Sequence, residues 1–437
     1  MKIVFKSIGC RTNQEECSEL TAALSGKGHQ IVSDLDEADV VMVNSCSVTA
    51  ATESKTRRLI ASIAHTAPQA RIMVTGCFAQ QSPHSLSTMK NVHWVVGNRQ
   101  KGDIVSILDS GDAGIFHSGF GSRDEPIHLA LPDRVIAAPQ NEGGRTRFPV
   151  KIQEGCDFAC SYCIVPSLRG PSRSARTGAV LDTCKRAIDA GYKEIVITGT
   201  HIGQFWSEAD KGLEALVEEI ISLDGDFRVR LSSLDPRDCT SRLLALVGSE
   251  KKVCDHLHIS LQSGSPDVLK GMGRPVDEAL RVIDELIRFR SAYPTSGIGA
   301  DIIVGFPGET GRQFEETCLV LEKCAPSYMH VFKFSGRPGT RAAGMSDQVS
   351  EPVRNERSLR VRTLAADLRT RFLNVVSAVP QRIIIESERP LRGLTANYLH
   401  VEIDNVKAAH NTWLDILVSD GIRGRYCLAK PVNSKVE

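Results

Sequence analysis

The sequence has no apolar run approaching the roughly 18 residues a membrane helix needs, which excludes a helical span. Its first residues, Met1-Lys2-Ile3-Val4-Phe5-Lys6, lack the apolar stretch of a secretory signal and read instead as a first β-strand. Neither charge sign is in excess: 53 Lys and Arg stand against 52 Asp and Glu, a net +1. No global basic field therefore advertises nucleic acid, and any such contact must come from local patches. Without an export signal, the 13 cysteines are not expected to form a disulfide scaffold. In a reducing cytoplasm, where this reading places the chain, they serve as metal ligands or buried thiols. What remains is ordinary globular composition, 41% hydrophobic over 437 residues, with length for about two to four domains.

Three of those cysteines share one short segment, Gly155-Cys156-Asp157-Phe158-Ala159-Cys160-Ser161-Tyr162-Cys163, with the spacing C-x3-C-x2-C. Three thiolates on one loop can hold three irons of a [4Fe–4S] cube and leave the fourth open to a substrate or cofactor. A four-cysteine site would point to electron transfer or structure instead. Zinc prefers a closed tetrahedral site, and no fourth Cys or His lies near in sequence.

The chain is expected to be α/β throughout most of its length. Over residues 1–110, strand candidates Lys2–Ile8, Asp39–Asn44, Arg71–Thr75 and Val92–Val96 alternate with helices Glu15–Ser25 and Ala50–Ala64. Continuous apolar strands separated by helices indicate a doubly wound parallel sheet. Residues 111–145 are turn-rich and read as a linker. From 146 to 372 six further strands alternate with helices: Phe148–Gln153, Glu194–Thr198, Arg228–Ser232, His256–Leu261, Asp301–Val304 and His330–Phe334. Six such units can curl into a partial (β/α)6 barrel, whose function belongs at the C-terminal ends of its strands. The cysteine loop follows the first of them. Residues 373–437 change to short strands and predict a small antiparallel β-barrel.

A second cysteine set is scattered along the chain. Cys10, Cys46 and Cys77 each follow a predicted parallel strand of the first domain. The C-terminal ends of strands in one sheet lie side by side, and that edge is where open α/β sheets bind ligands. These three thiols are expected to converge on a second cluster, again with one iron free of cysteine. Cys17, Cys184, Cys239, Cys254, Cys318, Cys324 and Cys427 show no ligand-like spacing and are expected in the core.

Together with the Cys156 loop, the segments Gly9–Asn13, Asn44–Val48, Gly76–Gln80, Leu261–Ser265, Asp301–Glu309 and Arg337–Thr340 occur in the order seen in the radical S-adenosylmethionine methylthiotransferases, which the chain resembles over nearly its whole length. Residues Gly393–Tyr398 resemble part of the TRAM domain, a small RNA-binding barrel. Lys151–Gly155, Arg169–Ser174, Leu231–Pro236 and His330–Ser335 lean toward the branch acting on N6-threonylcarbamoyladenosine at tRNA position 37 (t6A37). Members outside that branch act on isopentenyladenosine-37 or on an aspartate of a ribosomal protein. A reading from a different class is a non-catalytic iron–sulfur protein that binds RNA through its tail.

The resemblance implies two [4Fe–4S] clusters, one on Cys156, Cys160 and Cys163 and an auxiliary one on Cys10, Cys46 and Cys77. It also implies two S-adenosylmethionine molecules per turnover, one methylating sulfur and one supplying the radical. Tyr162, Gly199, Thr200, Gln262 and Ser263 are the expected cofactor contacts. Implied partners are the tRNA anticodon stem-loop, an electron donor such as a flavodoxin or ferredoxin, and a sulfur donor, with no membrane. RNA contacts are expected from Arg354, Arg357, Arg360 and Tyr398, with further basic clusters at Lys55, Arg57, Arg58 and at Arg169, Arg173, Arg176. Trp413 is a second candidate for base stacking.

Overall fold

The computed structural model describes residues 1–9, 11–47, 49–120, 127, 139, 146–207, 209, 212–404 and 406–432. Cys10 and the Asn141-Glu142-Gly143-Gly144 turn lie outside the described residues.

The first sheet is built from β1 (Lys2–Ser7), β2 (Gln30–Ile31), β3 (Val40–Ser45), β4 (Arg71–Gly76), β5 (Val92–Val96) and β6 (Gly114–Phe116). Its order is β2-β1-β3-β4-β5-β6, with every neighbouring pair parallel. Residues alternate between two faces, as the pleat requires. Val41, Val43, Ile72 and Val74 pack under the helix Ala50–Thr66, while Val40, Met42, Met73 and Trp94 pack with the helices Arg11–Gly26 and Ile104–Ser110. The two edge strands are two and three residues long, too short to carry a periodic signal. Gly114–Phe116 falls in the segment expected to be linker, so the sheet extends further than the sequence indicated.

The second body contains β7 (Arg147–Glu154), β8 (Arg173–Ser174), β9 (Glu194–Gly199), β10 (Arg228–Leu231), β11 (His256–Gln262), β12 (Gly297–Val304) and β13 (Tyr328–Lys333). Two sheets, β10-β9-β7-β8 and β11-β12-β13, are joined by a parallel bridge between Leu234 and Ile259. Apart from the short antiparallel β8, all the strands run parallel, forming an open barrel with its helices outside. Val150, Ile152, Ile195, Ile197, Val229, Ile259 and Ile302 face those helices in one continuous core. β12 starts four residues earlier than expected because Gly297 and Gly299 read as loop. In the fold they permit close approach: a Cβ on either would strike the Asn397 carbonyl or the Tyr328 ring.

The third body is a closed barrel of β14 (Gln381–Glu388), β15 (Leu391–Thr395), β16 (His400–Ile403), β17 (Trp413–Arg423) and β18 (Tyr426–Pro431), in the order β14-β15-β16-β18-β17. In β15, Gly393 is needed where the chain passes close to the Ile384 carbonyl. A single helix, Glu351–Val376, precedes this barrel. Its Val361 is buried in the central core, and its Phe372 and Val376 are buried in the small barrel's core.

The small barrel seats on the N-terminal end of the central one. Arg228 and Arg230 open β10 and reach across to main-chain carbonyls: Arg228 donates to Leu394 O at 2.9 Å, and Arg230 to Ala396 O at 2.9 Å and Thr395 O at 3.0 Å. Both also donate to the fully buried Glu194, at 2.7 and 2.6 Å. Burial opposes ionisation of Glu194, but the two arginines outweigh it and hold the carboxyl well below the usual range.

Candidate active site

The Cys156 loop leaves the C-terminal end of β7 and is pinned at several points. Gly155 has φ +82°, and a Cβ there would run into the Pro171 carbonyl, so only glycine fits. Cys156 N–H donates to Gly170 O at 3.1 Å and Cys163 N–H to Cys160 O at 3.1 Å. Ser161 ties the loop to the far side of the barrel through Met272 O (2.8 Å) and Gly271 O (2.9 Å). Tyr162 is packed beside Phe306 and Phe334, and Arg274, itself held by Asp235 at 2.6 Å, donates to its hydroxyl at 3.3 Å. All three thiols are half-buried. Burial pushes the Cys163 thiol up to about 12. His201 lies 3.6 Å from Cys156 Sγ and 2.5 Å from Asp238. Burial alone would lower its pKa; the hydrogen bonds to Asp238 and Cys156 prevail and raise it to about 9.

Cys46 leaves the C-terminal end of β3 at the topological switch of the first sheet, which falls between β1 and β3. Cys46 follows β3 and Cys77 follows β4, and both are 5% exposed. Cys77 packs on Ile164 and Leu168 of the central barrel, and Ile164 directly follows Cys163. Asn98 donates to Leu168 O at 2.7 Å and lies 3.9 Å from Cys77 Sγ. A cavity of about 640 Å³ opens here, lined by Cys46, Cys77 and Thr12 on one side and by the ends and interior of the barrel strands on the other. Thus the segment leaving the Cys156 loop is the wall on which Cys77 rests.

A buried charge network closes this junction. Arg169 donates to Glu16 Oε1 of the first domain at 2.8 Å, to Glu154 at 3.0 Å and to Asn13 Oδ1 at 3.2 Å. Lys101 also pairs with Glu16, and Lys151 lies 3.9 Å from both Glu19 and Glu154. Burial disfavours the Glu16 carboxylate, yet Arg169, Lys101 and Lys151 hold it well below its ordinary value.

The expected cofactor residues are distributed around these sites. Gly199 and Thr200 line the cavity; the Thr200 hydroxyl is buried without a hydrogen-bond partner, as an oxygen awaiting a ligand would be. Gln262 adopts φ +66°, a left-handed conformation unusual for its residue type, at a bulge ending β11. Ser263 turns away to Thr317 at 3.0 Å.

Several expected RNA contacts are instead engaged inside the protein. Arg357 is buried against Glu309 (2.7 Å), and Arg354 donates to Phe334 O (2.9 Å). Arg360 stays exposed and pairs with Glu315. Arg169 is 4% exposed in its network, and Arg173 lies 3.5 Å from Glu154; neither offers a free cation to phosphate. Tyr398 stacks on His256 with ring centroids 4.6 Å apart and has Arg230 over its ring, so it floors the cavity. Trp413 donates to Asp226 at 2.6 Å beneath Arg382. These aromatics face the central barrel because the small barrel docks through that side. The seven core cysteines are buried as expected.

One group of cavity residues escaped the sequence reading. His256, His258 and Ser260 on β11, Asp301 on β12, and Tyr328, His330 and Phe332 on β13 line the interior. Asp301 Oδ1 receives His258 Nε2 at 2.9 Å and His330 Nδ1 at 3.1 Å. Because a carboxylate only accepts, both ring nitrogens carry protons. Tyr328 then donates to His258 Nδ1 and receives His256 Nε2, each at 2.8 Å. The signal was present: polar residues at alternate positions of strands whose other face is apolar.

Three comparisons place this geometry. Residues 150–321 match the radical SAM superfamily, and residues 2–97 match a family described as UPF0004. The radical S-adenosylmethionine methyltransferase TsrM of Kitasatospora setae shares the fold, with a TM-score of 0.58 at 13% identity over 78% of this chain and 77% of that one. Fold and cysteine loop together define a radical S-adenosylmethionine protein. Two threonylcarbamoyladenosine tRNA methylthiotransferases are similar over almost the full length. That of Thermotoga maritima is 34% identical over 100% of this chain and 99% of its own, and that of Aquifex aeolicus 33% over 93% and 98%. The chain belongs to the radical S-adenosylmethionine methylthiotransferase family.

Proposed function

We propose that this chain attaches a methylthio group to C2 of N6-threonylcarbamoyladenosine at position 37 of tRNA. The observation that carries the reading is the shared cavity: thiols at the ends of two parallel strands line one chamber with the strand ends of the barrel that bears the C-x3-C-x2-C loop. Cys156, Cys160 and Cys163 hold one [4Fe–4S] cluster, and Cys46, Cys77 and Cys10 the other. When bound, the clusters and S-adenosylmethionine supply radical and sulfur chemistry at an unactivated C–H bond.

The chain's own residues do the positioning. Gly155, Ser161 and the Tyr162–Arg274 pair fix the loop bearing three of the ligands. Arg169 and Glu16 hold the cysteine-bearing sheet edge against the barrel. Ile164 and Leu168 pack an apolar wall against Cys77, which limits water on that side of the site. Thr200 and Gln262 present polar groups at strand ends for the cofactor. Reduction by a flavodoxin or ferredoxin, a separate sulfur donor and action in the cytoplasm complete the proposal. No helix among the described residues is long and apolar enough to cross a membrane.

Nucleoside analysis of tRNA from cells lacking the chain tests it. Loss of the 2-methylthio group from t6A is expected. Loss from isopentenyladenosine instead, or an unmodified ribosomal aspartate with intact tRNA, would overturn the substrate. A reconstituted protein producing no 5′-deoxyadenosine would overturn the enzyme reading altogether.

A further inference from the structure

Phe332 is 45% exposed although it sits on a barrel strand and faces the cavity. A bare aromatic ring inside a concave chamber is a platform for a flat partner. Two residues earlier on the same face of β13, the His330 side chain is 56% exposed, its ring 6.4 Å from Phe332 in an edge arrangement. Asp301 fixes the proton on His330 Nδ1, which leaves Nε2 as its remaining hydrogen-bonding atom. Behind it, His258, Tyr328 and His256 bond to one another, so the wall is a preorganised polar surface. An apolar substituent lodged here would bury these groups without satisfying them. One carrying a hydroxyl would be accepted, its O–H donating to His330 Nε2.

We propose that His330, oriented by Asp301, reads the polar substituent on N6 of the flipped-out nucleoside, while the Phe332 ring supports its purine. The inference rests on the functional reading above and deepens it by assigning the specificity residues. His258, Asp301 and His330 also have ligand atoms within 4.8 Å of one another, a spacing that suits a divalent cation. Their existing mutual hydrogen bonds favour the recognition role.

The test uses holoenzyme with both clusters and two stem-loop RNAs of one sequence, carrying either t6A or plain adenosine at position 37. Wild type is expected to favour the t6A RNA in kcat/KM. His330→Leu should shrink that preference about tenfold or more, chiefly through KM, and His330→Gln should restore part of it. Phe332→Ala should weaken both RNAs alike. Equal losses on both RNAs for His330→Leu, with the preference intact, would overturn the assignment, as would a stoichiometric non-iron metal that this variant loses. A wild type inactive on the t6A RNA overturns the functional reading itself.

Discussion

Both ends of the central barrel are closed by buried arginines, but the two closures balance their charge differently. At the C-terminal end, Arg169 is neutralised in part by Glu16, which belongs to the other domain. At the N-terminal end, Arg228 and Arg230 are neutralised by Glu194 of the barrel itself, and the small barrel offers them only neutral carbonyls. Docking at the cysteine-bearing end thus adds Glu16 to the Glu154 that Arg169 already has in its own barrel, and adds Arg169 to the Lys101 that already pairs with Glu16. The small barrel is instead positioned by the direction of hydrogen bonds. Around the chemistry, the protein has made domain separation costly; at the far end it has made orientation specific.

Removing Arg169 should break this comparison most severely. Arg169→Ala leaves Glu16 with less positive charge in a buried site, and should cost about 3–5 kcal/mol in urea unfolding. Iron bound at the second cysteine set should fall with it; a loss below about 1 kcal/mol would show that the junction is not locked by charge. Glu194→Gln should cost somewhat less, about 2–3 kcal/mol, because the arginines keep their carbonyl acceptors. Limited proteolysis should then release the small barrel first. The Glu194 carboxyl is depressed in the fold, so its contribution is full above the unfolded carboxyl pKa of about 4.3. It is lost only as pH falls through the still lower folded value, so this closure should not weaken between pH 8 and pH 5.

Asp255 sharpens the contrast with the opposite sign. Burial pushes its carboxyl up to about 6, with Arg230 only partly offsetting the effect. The native state thus holds this proton more tightly than the unfolded chain, whose value is about 3.9, and stability falls as pH rises from about 4 to about 6. Asp255→Asn should gain about 1–2 kcal/mol at pH 7 and match wild type below pH of about 4. The smallest effect belongs to Arg360→Ala. Its pair with Glu315 is exposed, and the variant's melting curve should overlay that of wild type.

The cysteine loop was legible because its three thiols lie within one short segment of chain. Cys46 and Cys77 were legible for a different reason: strands read from apolar runs already bring their C-terminal ends to one edge. The Asp301 cluster was not read as a site: Asp301 and His330 lie in family-like segments, but only the fold brings them beside His258 from three strands whose polar residues alternate with core residues. The arginines misled for the same physical reason that buried ion pairs always do in sequence. Arg357 and Arg169 look like solvent-facing cations until Glu309 and Glu16 are brought beside them by the fold. Short edge strands such as Gln30–Ile31 left no pattern to read.

The helix Glu351–Val376 has 26 residues, a rod of about 39 Å at 1.5 Å per residue. Because its first half is tied to the central body through Arg354, Arg357 and Val361 and its last turns are sunk in the small barrel, the rod acts as a caliper with its jaws set. An RNA that touches both bodies is measured against a fixed length rather than searched for along a tether. Each residue inserted into the rod would also turn one jaw by about 100° relative to the other, so the gauge records angle as well as distance.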